Sequence, residues 1–340
     1  MGQSRTRVGI KEIAKRAGVS ISTVSRILND PDKKVPFAPK TRKRVLEVCK
    51  ANHYYPNAAA RGLVMSRTSN ILFVSDELYS AAAPYHSLVL SGAAHLLEKS
   101  NYYVQLASTL ENTSRLDKTP NYLRAIREGR VDGGLFFGER IKPGELRQLI
   151  SRSFPFVFVN FRNDSLDMVP SVMADAFDGG IQAARVLKRG RYEKYYFLSL
   201  SSSYSQKQKL AGFQKGLDPQ PVIFVNVDES GKAPLQKLRN ILKRKSHTAG
   251  FFLSIDEFAL PLLEILSEAG LSVPGEAGIV GYNDVSWRYT QAIGLTTIRV
   301  PAWQMGYKAA DLLLKIIAGK KIRRYHYVLP VSLIQRDTTF

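Results

Sequence analysis

Ile10-Lys11-Glu12-Ile13-Ala14-Lys15-Arg16-Ala17-Gly18-Val19-Ser20-Ile21-Ser22-Thr23-Val24-Ser25-Arg26-Ile27-Leu28-Asn29 is the stretch on which the reading of this chain turns. Apolar residues at 10, 13, 14 and 17 recur at helical spacing and give a short helix one buried stripe. Gly18 then suits a tight turn, and Ser20 is a good N-cap for a second helix. In that helix Val24, Ile27 and Leu28 face inward, leaving Ile21, Ser22, Ser25, Arg26 and Asn29 outside. A helix with a small, hydrogen-bonding outer face after a tight turn can enter a DNA major groove.

Charge supports that reading. The first 68 residues hold 15 Lys+Arg against 4 Asp+Glu, so one fifth of the chain carries +11 of its +20 net charge. Such concentration is an electrostatic footprint for phosphate rather than an ordinary solvated face. A third helix is predicted over 39–51, with Pro39 at its first position and Val45, Leu46, Val48 and Cys49 on its buried side. Ala38 is a poor cap for it. Tyr55-Pro56-Asn57 opens a further short helical run to Met65, too short to be stable alone in water.

At 340 residues the chain is long enough for more than one domain. It has no apolar run of membrane-spanning length and no apolar stretch after Met1 resembling a secretory signal. Its one cysteine, Cys49, excludes an intrachain disulfide framework and suits a reducing cytoplasm. Histidines 53, 86, 95, 247 and 326 show no metal-ligand spacing and read as structural or surface residues. No cofactor is expected.

From Ile71 onward the pattern alternates apolar strands with amphipathic helices. Strands are predicted at 71–75, 102–107, 131–137, 156–160, 195–200, 222–227, 250–254 and 278–282, and helices at 88–99, 179–188, 235–245 and 257–269. This rhythm gives parallel α/β sheets, and its length asks for two lobes with a ligand beyond the carboxyl ends of the strands.

Ile13-Ala14, Ala17-Gly18-Val19-Ser20 and Thr23-Val24-Ser25-Arg26, followed by Tyr55-Pro56-Asn57 and Ala60-Arg61-Gly62-Leu63, resemble the LacI/GalR family of bacterial transcription regulators. Weaker echoes follow in order, among them Val131-Asp132-Gly133-Gly134, Leu210-Ala211-Gly212-Phe213, Val280-Gly281-Tyr282-Asn283-Asp284 and Gln335-Arg336-Asp337. The resemblance implies an N-terminal all-α helix-turn-helix domain (1–55), a hinge helix and linker (56–68) and a two-lobe periplasmic-binding-protein-like core (69–340). It puts the N-lobe at about 69–167 with 297–324 and the C-lobe at about 168–293 with 327–340. It further implies a homodimer on a near-palindromic double-stranded operator, acting as a repressor, with a small-molecule effector between the lobes. Ile21, Ser22 and Arg26 would read bases, and Ser20, Thr23, Ser25, Asn29 and Thr41 would contact phosphates. Asn57, Ala60 and Leu63 would belong to the hinge contact, where Leu63 wedges open a minor-groove step.

The effector pocket departs from the family pattern. Lys209 stands where an arginine is usual, Ile255 where an asparagine precedes Asp256, Asn283 where an acid is usual, and Glu77 where a small polar residue is common. The remaining polar candidates are Glu77, Asn163, Lys209, Asp256 and Asn283. Lys209, a compact cation, favours an effector with an anionic group over a neutral sugar, while a sugar or sugar derivative stays open. A regulator with a degenerate pocket, controlled by a partner protein or binding DNA constitutively, is the alternative. No nucleophile elbow, phosphate-binding loop, dinucleotide fingerprint or metal cluster is present in the sequence, so an enzyme is not expected.

Overall fold

The computed structural model describes residues 8–29, 36–56, 67–75, 83–110, 118–137, 141–162, 168–199, 203–227, 238–240, 242, 247–285 and 287–340. The chain divides into two compact units, Met1–Thr68 and Ser69–Phe340.

In the first unit α1 (Ile10–Ala17) ends on Gly18 at φ 61°, a left-handed turn that glycine adopts without steric cost. Ser20 caps α2 (Ile21–Leu28) by accepting from Thr23 N at 3.1 Å, and α3 (Pro39–Ala51) starts at Pro39 without a side-chain cap. Ile13, Ala14, Ala17, Val24, Ile27, Val45 and Cys49 form one small core, with Leu28 and Val48 packed against it. Leu46, expected on the buried side, is instead exposed. Residues 45 and 49 are one turn apart and fix the inward face, which turns 46 about 100° away from it.

The second unit holds two sheets, six strands in each among the described residues. The first sheet contains β1 (Asn70–Val74), β2 (Tyr103–Ala107), β3 (Gly133–Phe137), β4 (Phe156–Val159), β5 (Ser171–Ala174) and β11 (His326–Leu329), in the order β11-β5-β4-β3-β1-β2. The second contains β6 (Lys194–Ser199), β7 (Val222–Asn226), β8 (Ala249–Leu253), β9 (Ala277–Asn283), β10 (Thr296–Arg299) and β12 (Ser332–Ile334), in the order β12-β10-β9-β8-β6-β7. Their pairings are parallel except β10 with β12. Strands such as β1, β4, β8 and β9 are apolar and buried nearly end to end, as parallel strands covered on both faces must be.

Helices α4 (Ala83–Lys99) and α11 (Ala302–Ile317) pack on one another in the N-lobe, and α7 (Ala176–Arg189) and α8 (Tyr204–Leu217) do so in the C-lobe. The remaining helices are α5 (Asn121–Arg127), α6 (Pro143–Ser151), α9 (Ala259–Glu268) and α10 (Trp287–Ala292).

These pairings move the expected lobe boundaries. Residues 171–174, assigned to the C-lobe from sequence, belong to the N-lobe sheet, because β5 pairs with β4 through Phe158 and Ser171. Residues 297–299, assigned to the N-lobe, lie in β10 beside β9, and residues 327–329 lie in β11 beside β5. The chain therefore crosses between lobes near Asp175, Pro301 and Pro330, after β5, β10 and β11. Among the described residues no helix is long and apolar enough to cross a membrane.

Candidate nucleic-acid interface and ligand cleft

On α2 the expected division of faces holds: Val24 and Ile27 are buried, whereas Ser20, Ile21, Ser22, Arg26 and Asn29 are exposed. Thr23, Ser25 and Thr41 are partly covered. Three hydroxyls cluster at the start of the helix, with Ser20 Oγ 2.8 Å from both Ser22 Oγ and Thr23 Oγ1. One turn before the C-terminus Asn29 Nδ2 donates to Ser25 Oγ at 3.3 Å. Arg26 forms no ion pair among the described residues, so its guanidinium is available to an external partner. The unit thus presents short hydroxyls, an amide and one guanidinium on a helix within a strongly basic segment. Asn57, Ala60 and Leu63 lie outside the described residues.

In the core the three C-lobe candidates do converge at one sheet end. Lys209 is on α8, which follows β6; Asp256 follows β8; Asn283 ends β9; and these three strands are neighbours in the sheet. Their surroundings differ from expectation. Lys209 is almost fully buried, donates from Nζ to the Ser254 carbonyl at 3.0 Å and lies 3.8 Å from the centroid of the Tyr282 ring. Burial pushes its ammonium pKa down to about 7, against the opposing attraction of Asp256 and Glu257.

Burial raises Asp256 to about 7 even though both its oxygens are engaged: Oδ1 accepts from Thr297 Oγ1 at 2.6 Å and Oδ2 from Asp284 N at 2.7 Å. Asp256 thereby ties β9 and β10 to the turn after β8. Asn283 is buried with φ 118°, a backbone conformation rare outside glycine. Asp284, next to it, anchors Arg299 at 2.7 Å and Arg336 at 3.0 Å, and accepts from Thr290 Oγ1. Glu77 and Asn163 lie outside the described residues.

Four groups near this sheet end were not singled out from sequence. Gln206 Oε1, Ser254 Oγ, Glu257 Oε2 and Tyr282 OH are buried without a hydrogen-bond partner. Burial also raises the Glu257 carboxyl and drives the Tyr282 phenol well above its ordinary range. On the N-lobe side Ser75, directly after β1, lies 2.7 Å from His86 Nδ1, and the His86 ring packs on Phe137 at the end of β3. His86 agrees with its reading as a structural residue. A cavity of about 230 Å³ opens where the chain crosses between lobes, lined by Asn160, Asp175, Phe177, Tyr204, Ser205 and Gln208 among others. Lys209, Asp256 and Asn283 are not among its described lining residues. Only the order of strands could have flagged these residues, since each sits at or just after a strand end that the sequence leaves unpaired. The described residues contain no group of three or more His, Cys, Asp or Glu placed to hold a metal.

Comparison with known proteins agrees with this anatomy. Residues 9–57 match the family described as bacterial regulatory proteins, lacI family, and residues 200–339 match the periplasmic binding protein-like domain. The transcriptional repressor PurR of Edwardsiella ictaluri is 30% identical over 320 residues, covering 92% of this chain and 91% of the relative. Catabolite control protein A of Streptococcus mutans is 29% identical over 337 residues, covering 98% of each. The structure of the lac repressor dimer bound to operator and the anti-inducer ONPF superposes with a TM-score of 0.82 at 23% identity, covering 98% of this chain and 99% of the other. A regulator from Enterococcus faecalis V583 with bound ribose gives 0.67 at 26% identity, covering 79% and 98%. These relatives are regulators rather than enzymes, and the chain belongs to the LacI family of bacterial DNA-binding transcriptional regulators.

Proposed function

We propose that the protein is a homodimeric repressor that binds a near-palindromic operator through α2 and is controlled by a small, uncharged, hydroxyl-bearing effector held between the lobes. The carrying observation is the outer face of α2, polar and free, within a segment of charge +11. Two such helices in a symmetric dimer would read two half-sites. Each sheet ends on a strand with large exposed apolar side chains, Tyr103 and Leu106 on β2 and Ile223 and Phe224 on β7, which suits a face covered by a second copy. Action on DNA places the protein in the cytoplasm.

The cleft favours a sugar over the anionic metabolite anticipated from Lys209. That cation is buried against a carbonyl and an aromatic ring, with two carboxyl groups in its field, and is no open anchor for an anion. The buried atoms still lacking partners are oxygens of an amide, a carboxyl group and two hydroxyls. Gln206 Oε1 in particular calls for a donor from the ligand, and sugar hydroxyls supply one. The solved regulator with bound ribose supports the same class.

The test uses the full chain. Operators are selected from random DNA, and a panel of neutral sugars and their phosphate or carboxylate counterparts is screened for release from the selected site. A symmetric motif bound by two chains, released or tightened by a neutral sugar, is the expected result. An asymmetric motif, or a response confined to anionic compounds, would overturn the corresponding part of the reading.

A further inference from the structure

Ile21 is an anomaly on α2. The helix buries Val24 and Ile27 and partly covers Leu28, yet Ile21 is 44% exposed. A β-branched aliphatic in this position forfeits the free energy of burial and gains nothing from helix propensity. Its polar neighbours are engaged with one another: Ser22 Oγ meets Ser20 Oγ, and Ser20 Oγ both caps Thr23 N and meets Thr23 Oγ1. The first turn therefore projects one apolar side chain beside a set of mutually bonded hydroxyls.

Among base edges exposed in the major groove, the thymine 5-methyl is the feature that matches an aliphatic surface. We infer that Ile21 reads a thymine methyl in each half-site, so that preference at this position is set by a methyl group and not by a hydrogen bond. The inference rests on α2 being the recognition helix. Arg26 lies five residues further on, about 7.5 Å along the axis at about 1.5 Å per residue. That distance is about two base-pair steps of about 3.4 Å. The thymine thus belongs about two steps from the guanine that an arginine in this position would bind.

Selection of operators by the full-length protein tests the recognition-helix reading on its own, because the absence of a motif would end it. Within the selected operator, thymine is then exchanged for uracil one symmetric pair at a time. The exchange deletes only the methyl and leaves every hydrogen-bonding edge in place. One pair, about two steps from the preferred guanine, should weaken binding about fourfold per half-site, the worth of one buried methyl at about 0.8 kcal/mol. The variant Ile21→Ala should bind thymine and uracil operators alike while keeping its low-salt affinity for non-specific DNA, which reports a folded domain. A change of that pair from T·A to C·G should be partly rescued by 5-methylcytosine. If no uracil exchange weakens binding, or if Ile21→Ala keeps the same dependence on the methyl, Ile21 does not read it and its exposed face serves another contact.

Discussion

Lys209 illustrates how far a single residue can be read before its neighbours are known. Its place before Leu210-Ala211-Gly212-Phe213 is visible in the sequence, and so is the substitution of an amine for the usual guanidinium. Its environment is not, because the Ser254 carbonyl and the Tyr282 ring come from two other strands. The consequence is a titration that the folded protein carries and the unfolded chain does not. Burial lowers the Lys209 pKa from 10.5 to about 7. Between those values the native state binds fewer protons than the unfolded one, so stability rises with pH from 7 toward 10 and is lost as pH falls toward 7. The melting temperature of the core between pH 7 and 9.5 should therefore climb in the wild type, and climb less in Lys209→Met. Parallel curves for the two proteins would mean that Lys209 keeps an ordinary pKa. By contrast, Ser20, Gly18 and the exposed Arg26 were legible because their roles depend on residues within one helical turn.

At the scale of elements, local rules succeeded where an element is long enough to show a period. The third helix begins and ends at Pro39 and Ala51 as predicted, and the eight predicted strands are present with ends shifted by one or two residues. Strands β5, β10, β11 and β12 escaped notice because three or four residues cannot display alternation. Three of them flank the lobe crossings, which is why the lobe boundaries moved. Packing between elements is equally hidden from periodicity. A Cβ on Gly212 would lie 1.9 Å from the Phe177 carbonyl oxygen, so α7 and α8 touch backbone to backbone at this point. Gly212→Ala must push α8 outward, and overpacking of this kind costs about 1–3 kcal/mol or more. Chemical denaturation of the core should show that loss. Because α8 also carries Gln206 and Lys209, effector affinity should fall as well, and a variant with unchanged stability would mean that the helices separate freely.

For the whole molecule, the two units hold separate cores of very different size. The first relies on seven buried side chains of a short segment, the second on three large clusters that run through both lobes. Small domains bury a lower fraction of their surface and are correspondingly marginal. Heating the full chain should therefore give two transitions by calorimetry, the DNA-binding unit melting below the core. Ligands that bind only the native state shift the transition of the unit they engage, by an amount set by concentration over Kd. Operator DNA should raise the lower transition most, and a sugar effector should raise the upper one. The two responses would be joined only to the extent that effector binding changes operator affinity, and by linkage that coupling must be equal in both directions. An effector that alters operator affinity tenfold should thus have its own affinity altered tenfold by operator. A single transition, or an effector that shifts the upper transition without moving operator affinity, would show that the cleft binds its ligand for some purpose other than control of DNA binding.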